Sequence, residues 1–469
     1  EPRWSSSNPF GEFPSVFRLS SKFSEESVLF LSVLKWSLLS SGVGLSTGAL
    51  VSLFLFLLEK ASAFTGNISF ALLLLPPALA LNAYLLGKIL PREAADSTDK
   101  LVAFLHRGSP LPLLSIPKVF FLSILTIASG GSAGKEAPAA DMGGTVGFWV
   151  GKVLKLSPRD LKKLTLCGVS AGFAAVFGTP MAGALYGMEL LFVGNILYEV
   201  FLPAFIAGIL SHQVVLALGW GIPSALLRFS PTFSRGFFLH ILLAGIVFGL
   251  LSFLFVEFWK RVRTLLGKVS LPLPGKAFLV GTLLALFGFF VSPRPLGLGS
   301  GVITETLLNA PCRWFDVPAK ALFSALTLLG GGSGGVVTPL FYLGATSGSL
   351  LADLLSLDRG TFAALGLVGL LSGTTNTPIA AAILGVELFG PSLGPYAALV
   401  SIISFLMSGH RSLLPSQVLS LRKSSSLNVE TGHSFSETMG AEESARRALS
   451  HGLWTVREKV PFSPHRKPK

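Results

Sequence analysis

The sequence predicts an all-α protein that crosses a membrane many times, with several of its helices broken or half-crossing. Three observations carry that prediction. Apolar residues make up 51% of the chain and charged residues only 13%, where a soluble domain carries about 25% charged. Long apolar runs follow one another from about residue 27 to 409. A glycine-rich block at 129–144 returns at 330–345 between similar apolar flanks.

The runs at 27–58, 69–90, 199–219, 237–258 and 391–407 are near or above the roughly 20 residues that a helix needs to span a bilayer. Shorter runs at 119–128, 321–329 and 379–386 are interrupted by Gly or Pro, which predicts helices that stop inside the membrane. The strand-period alternation of an outer-membrane barrel is missing. The opening EPRWSSSNPF has no Met and no short apolar core, so residues 1–24 read as an N-terminal segment with a processed or engineered start, not as a signal peptide. The membrane domain is expected over 25–410, and residues 411–469 as a polar cytoplasmic tail.

The net charge is +13. The basic stretches GKVLKLSPRDLKK (151–163) and KRVRTLLGK (260–268) fit the excess of Lys and Arg in cytoplasmic loops. A basic helix or aromatic platform outside the apolar segments, as a nucleic-acid partner would need, is lacking. Cys167 and Cys312 lie in no metal pattern and read as small core residues. The sequence holds no metal cluster and no nucleophile elbow, so neither a cofactor nor an enzyme is predicted. The expected surroundings are the lipid of the cell membrane.

The repeat is specific. A shift of 201 positions carries Gly131, Ser132, Pro138 and Gly143 onto Gly332, Ser333, Pro339 and Gly344, and Pro117 onto Pro318. Downstream, TPMAGALYGMELLF (179–192) matches TPIAAAILGVELFG (377–390) at a shift of 198, which pairs Glu189 with Glu387. The chain therefore divides into halves at about 25–215 and 235–410. Gly/Pro-broken segments at matching places in two halves point to a binding site where the halves meet.

A glycine-rich break leaves amide N–H groups free, which hydrocarbon does not tolerate unless the break is buried or lines a polar cavity. The helix that follows begins with unpaired N–H groups and the positive end of its dipole, and Pro138 and Pro339 suit a first helical turn. Two such starts aimed at one place would form an anion site without a full cation to trap the ion. Glu136 lies at the first start. It reads either as a gate, a tethered carboxylate that competes with a mobile anion, or as an ordinary first-turn glutamate. Its counterpart in the second half is Val337. Lys135 either raises the anion potential at the pathway mouth or snorkels. Glu189, Glu387 and Asp141 read mainly as structural, the first two as acceptors for neighbouring helix starts. His410 and Arg411 read as a solvated end.

With these motifs in place, the chain resembles the CLC family of chloride channels and chloride/proton antiporters. GKEAP at 134–138 resembles the family's G-K/R-E-G-P block, GSGGVVTP at 332–339 its G-x-F-x-P region, and the two TP-…-E segments its P-x-A-G-x-L-x-x-E pair. The similarity runs from about 90 to 417. It implies an inverted-repeat fold of about eighteen helices and a homodimer with one anion pathway per subunit. It also implies that Glu136 is the gate, with Gly134, Lys135, Ala137 and Pro138 around it, and that Gly335, Val336 and Val337 form a second anion-binding loop with amides facing the ion. Val337 stands where Phe is common.

Three departures accompany the resemblance. ADSTDK (95–100) replaces the first anion loop G-S-G-I-P and puts Asp96 or Ser97 near the anion-coordinating serine. Leu414 stands in place of a late anion-binding tyrosine, and Leu190 in place of the antiporters' proton-pathway glutamate. The function expected is transport of small inorganic anions, chloride first, by channel or proton-coupled exchange. The alternatives are a fluoride exporter of the same family and, from another class, a sodium-coupled carrier of organic solutes with inverted repeats.

Overall fold

Eight helices succeed one another in the first half, and eight counterparts follow in the same order in the second. The structure is a computed structural model that describes residues 24–66, 70–89, 97–107, 111–220, 229, 234–424 and 429–435. The first half contains α1 (Ser24–Gly66), α2 (Leu75–Ile89), α3 (Ser97–Arg107), α4 (Ser115–Ala128), α5 (Glu136–Val153), α6 (Pro158–Phe177), α7 (Pro180–Glu189) and α8 (Phe201–Ala217). The second contains α9 (Arg235–Lys268), α10 (Leu273–Phe290), α11 (Ser300–Leu307), α12 (Asp316–Leu329), α13 (Val337–Leu355), α14 (Arg359–Thr375), α15 (Pro378–Phe389) and α16 (Gly394–Met407). These sixteen α-helices, with three short 3-10 turns, stand against the eighteen or so expected, counted among the described residues.

The two halves use the same local devices. Helix α6 starts where Ser157 Oγ accepts from Asp160 N (3.2 Å), and α14 where Asp358 Oδ2 accepts from Thr361 N (2.8 Å). Such side-chain caps satisfy the open amides of a first turn. Both helices end in a left-handed residue, Gly178 and Asn376, and Pro180 and Pro378 then open α7 and α15. Four helical segments, 25–66, 198–217, 235–268 and 273–290, are long and apolar enough to cross a membrane. Helices α4 and α12 have 14 residues each, or about 21 Å of length against a hydrocarbon core of about 30 Å. They stop in the interior, as their interrupted sequences predict.

Small residues bring the helices together. Along the α5–α6 contact a Cβ on Gly143 would collide with the Gly168 carbonyl, and one on Gly168 with the Gly143 carbonyl. Gly344 and Gly366 make the same reciprocal approach between α13 and α14. In lipid, close backbone approach through such residues drives helix association.

The tail departs from expectation. Residues Phe192–Val193 (β1) pair in parallel with Val418–Leu419 (β2), a short strand pair that the apolar periodicity does not announce. Leu413, Leu419 and Phe435 are buried. His410 and Arg411 are not a solvated end: Arg411 Nε donates to Glu257 Oε1 at 2.8 Å, and His410 Nε2 accepts from Lys423 N at 3.1 Å. Burial and the nearby Lys423, Arg411 and Arg422 charges hold the His410 imidazole below its ordinary pKa, so that it stays a neutral acceptor. The Lys423 ammonium donates to Phe405 O (2.8 Å) and Ser408 Oγ (2.9 Å) at the end of α16. Polar composition misled here because these polar groups are spent on one another and on helix ends.

Gly143→Ala and Gly344→Ala each force a methyl group onto a carbonyl of the neighbouring helix. Each is expected to cost about 1–3 kcal/mol, read as a lowered melting temperature of the purified protein in detergent, whereas Gly42→Ala, which meets open space, is expected to leave it unchanged.

Candidate anion-binding site

Helix α4 leads into the glycine loop 129–135 and α12 into 330–336, and the two loops lie against each other. Gly134 N donates to Gly335 O (2.7 Å) and Gly335 N donates to Gly134 O (2.8 Å), an isolated antiparallel bridge. Hydroxyls repeat the two-fold relation. Ser132 N donates to Thr327 Oγ1 (3.2 Å) and Ser333 N to Thr126 Oγ1 (2.9 Å). Ser123 Oγ lies 3.0 Å from Ser333 Oγ, and Ser132 Oγ 2.9 Å from Ser324 Oγ. Every one of these contacts joins one half to the other.

The bridge places the first turns of α5 and α13 side by side. Glu136, the first residue of α5, is 1% exposed, and its carboxylate reaches across to the other helix. Oε1 accepts from Thr338 N at 3.0 Å, and Oε2 from Thr338 Oγ1 at 2.6 Å. A carboxyl group thus sits at the N-terminus of α13, where the open amides and the helix dipole favour negative charge. The carboxylate is flanked by Gly134 and Gly335, and a Cβ at either position would overlap its oxygens. That packing accounts for glycine at both places.

The residues singled out from the sequence are arranged as follows. Lys135 caps α5 and is half-buried. Ala137, Val336 and Val337 are 3% exposed. The amides of Gly134 and Gly335 do not face an ion, because each is bonded to the other's carbonyl; the open donors are those of the first helical turns beyond them. Thr338 contributes two of its donors to the site, and sequence comparison of the halves hid it, since its counterpart is Ala137. Ser97 is the first residue of α3, and its side chain and Asp96 lie outside the described residues. Leu414 is 1% exposed and its amide donates to Ser412 Oγ at 2.9 Å.

Glu189 and Glu387 lie outside this cluster. Glu387 accepts from Met181 N (2.9 Å) and Ala182 N (2.8 Å) at the start of α7, and Glu189 accepts from Ile379 N (3.2 Å) and Ala380 N (2.8 Å) at the start of α15. Each carboxylate caps the helix of the opposite half. Asp141 is buried within α5. Beside Leu190, Gln417 joins the tail to the membrane helices. Its Nε2 donates to Leu190 O (3.0 Å) and Thr375 O (2.9 Å), while its Oε1 accepts from Ser412 Oγ (2.6 Å) and Asn376 Nδ2 (3.3 Å). Among the described residues, no group of three or more His, Cys, Asp or Glu could hold a metal ion, and Cys167 and Cys312 are free.

A family model described as voltage gated chloride channel matches residues 78–409. The chain belongs to the CLC family. A chloride/fluoride channel protein of Pseudomonas syringae pv. tomato is 33% identical over 398 residues, covering 82% of this chain and 86% of that one. An uncharacterised protein of Methanocaldococcus jannaschii is 24% identical, covering 81% and 94%. Among solved structures, a CLC-type fluoride/proton antiporter matches with a TM-score of 0.77 at 29% identity, over 83% of this chain and 98% of that one. A slow cyanobacterial chloride/proton antiporter matches at 0.71 with 18% identity, over 80% and 94%. This CLC protein is therefore a multi-pass integral membrane protein of a halide-transporting family. That membership sets the sodium-coupled solute carrier aside.

Glu189→Ala strips the acceptor from two amides at the α15 start, one of them buried. It is expected to cost about 1.5–3 kcal/mol, seen as a lowered melting temperature in detergent, with Glu189→Gln recovering part of the loss through its remaining carbonyl oxygen.

Proposed function

We propose that this protein carries a small halide across the cell membrane along a pathway closed by the Glu136 carboxylate, with fluoride as its preferred cargo. One observation carries the reading: the carboxylate occupies the first turn of α13, held by the Thr338 amide and hydroxyl. A mobile anion would use the same donors. When ionised, Glu136 competes for them. When protonated, it loses most of its hold and leaves the place to the ion.

Fluoride is favoured by chemistry and by kinship. It is the most compact and most strongly hydrated halide, and short O–H and N–H donors are what replace its water. Thr338 supplies one of each. Leu414 and Val337 stand where the family often has Tyr and Phe, so the wider contacts suited to chloride are reduced. The relatives that are 33% and 29% identical are named for chloride/fluoride and fluoride/proton transport. The latter favours exchange with protons; the assembly of two identical subunits is what the family resemblance implies. Basic groups near Asp160, Glu199 and Glu257 gather with the tail at one end of the fold, which we assign to the cytoplasm.

The test is efflux from liposomes holding the purified protein, followed with fluoride- and chloride-selective electrodes across a pH series. Wild type is expected to release fluoride faster than chloride and to speed up as pH falls. Glu136→Gln is expected to give flux independent of pH. Chloride release equal to or faster than fluoride's removes the cargo assignment, and a strong pH dependence persisting in Glu136→Gln removes the gate.

A further inference from the structure

The turn between α5 and α6 gathers basic side chains beside a stretch of helix that no protein covers. From residue 28 to 34, α1 is exposed at every position, and all but Ser32 are apolar. A helix that is apolar all round and uncovered by protein has hydrocarbon as its solvent. Lys35 and Trp36 follow directly. Lys35 Nζ donates to Asp160 Oδ2 at 2.9 Å, and Lys163 Nζ lies 4.1 Å from the centre of the Trp36 ring. These two contacts set the bare stretch of α1 next to the first turns of α6.

The end of α5 reaches the same place, where Gly151 faces Leu161. Beyond it Lys152, Val153, Leu154 and Lys155 are exposed, Val153 at 74%, and Lys162 is exposed on α6. Lys152 Nζ stands 4.4 Å from the centre of the Trp149 ring. Apolar side chains and ammonium groups thus share one surface. Carboxylates do not cancel its charge. Asp160 is paired with Lys35, and Glu199 with Arg159 at 3.1 Å. Glu26 and Glu25 lie nine and ten residues before Lys35 on α1, about 14 Å or more along the helix. Among the described residues, Lys152, Lys155 and Lys162 make no ion pair within 4.0 Å. The other basic stretch differs, since Lys260 shares Glu257 with Arg411.

We propose that this surface binds an acidic phospholipid of the adjoining leaflet. Lys152, Lys155 and Lys162 hold its phosphate, and its acyl chains lie along residues 28–34 of α1. The inference is independent of cargo and gate. A loop bias toward Lys and Arg sets orientation only. What points to a bound lipid is the junction of ammonium groups outside any ion pair with a helix surface that acyl chains alone can cover. An inorganic phosphate would use the lysines and leave the apolar stretch bare. Each basic residue near a membrane surface raises the affinity for acidic lipid about fivefold, so three together distinguish acidic from zwitterionic headgroups.

The test is the melting temperature of the purified full chain in detergent, with phosphatidylglycerol, phosphatidylcholine or inorganic phosphate added. Phosphatidylglycerol is expected to raise it by about 3 °C or more over phosphatidylcholine. The triple variant Lys152→Gln/Lys155→Gln/Lys162→Gln is expected to lose at least about half of that difference. Lys152→Arg/Lys155→Arg/Lys162→Arg is expected to keep it. So is Arg261→Gln/Arg263→Gln/Lys268→Gln, which removes as much charge from the other basic stretch. Equal melting temperatures in the two lipids overturn the inference, as does a glutamine triple at 152, 155 and 162 that keeps the full difference, or an arginine triple that loses it. Equal losses from both glutamine triples assign the effect to general surface charge and overturn it too. A rise with inorganic phosphate that matches the rise with phosphatidylglycerol removes lipid as the occupant. A change of oligomeric state on size-exclusion chromatography in the glutamine triple at 152, 155 and 162 assigns the face to contact between copies, which also overturns the inference.

Discussion

Backbone amides that lie at membrane depth must find partners, and the structure is arranged around two places where helices begin there. Helices α4 and α12 are too short to cross, so α5 and α13 start in the interior with open N–H groups. Part of the demand is met by the Gly134–Gly335 pair and by hydroxyls of the opposite half. Those contacts occupy the amides of Ser132, Gly134, Ser333 and Gly335 and lock the two tips in register. What remains open includes the first turn of each helix, and there we propose the anion site. The same logic operates a second time at α7 and α15, where Glu387 and Glu189 meet the demand permanently with carboxylates.

The contrast between these two helix pairs separates structure from transport. Glu189 and Glu387 each accept two backbone amides from a helix start in the other half, and each has a partner doing the same in reverse. Neither can leave without opening two backbone donors. Glu136 also accepts from the other half, but one of its donors is a side-chain hydroxyl, that of Thr338, and its counterpart in the repeat is Val337. No symmetry-related carboxylate stabilises the arrangement. A tethered acceptor held on one side only is the one that a competing ion can replace.

Much of the fold is legible in the sequence because it follows from apolar length and from glycine and proline placement. The short, interrupted runs become the half-crossing helices. The blocks that repeat at shifts of 201 and 198 become the two tips and the two reciprocal glutamate caps. Glu136 is legible because a carboxylate in a glycine-rich break is chemically out of place. What is hidden lies in contacts between residues some 200 positions apart. Thr338 has an alanine as its counterpart, so comparison of the halves conceals it. The pairing of Gly134 with Gly335 withdraws two amides that the motif alone assigns to the ion. The tail reads as solvated because its residues are polar, yet Gln417 is fully buried and bonded to Leu190 and Thr375. Composition records polarity, and only geometry records whether the partners are water or protein.

The repeat supplies two equivalent helix starts, and function enters where equivalence ends. A strictly two-fold site would present identical donors from both sides and hold an ion loosely, with nothing to couple its release to protonation. Here one half supplies the carboxylate and the other the hydroxyl that receives it. Dipoles that are symmetric and weak bind an anion loosely. In the gate we propose, a carboxylate supplied by one half makes that binding depend on protonation, which a symmetric pair of dipoles alone does not do.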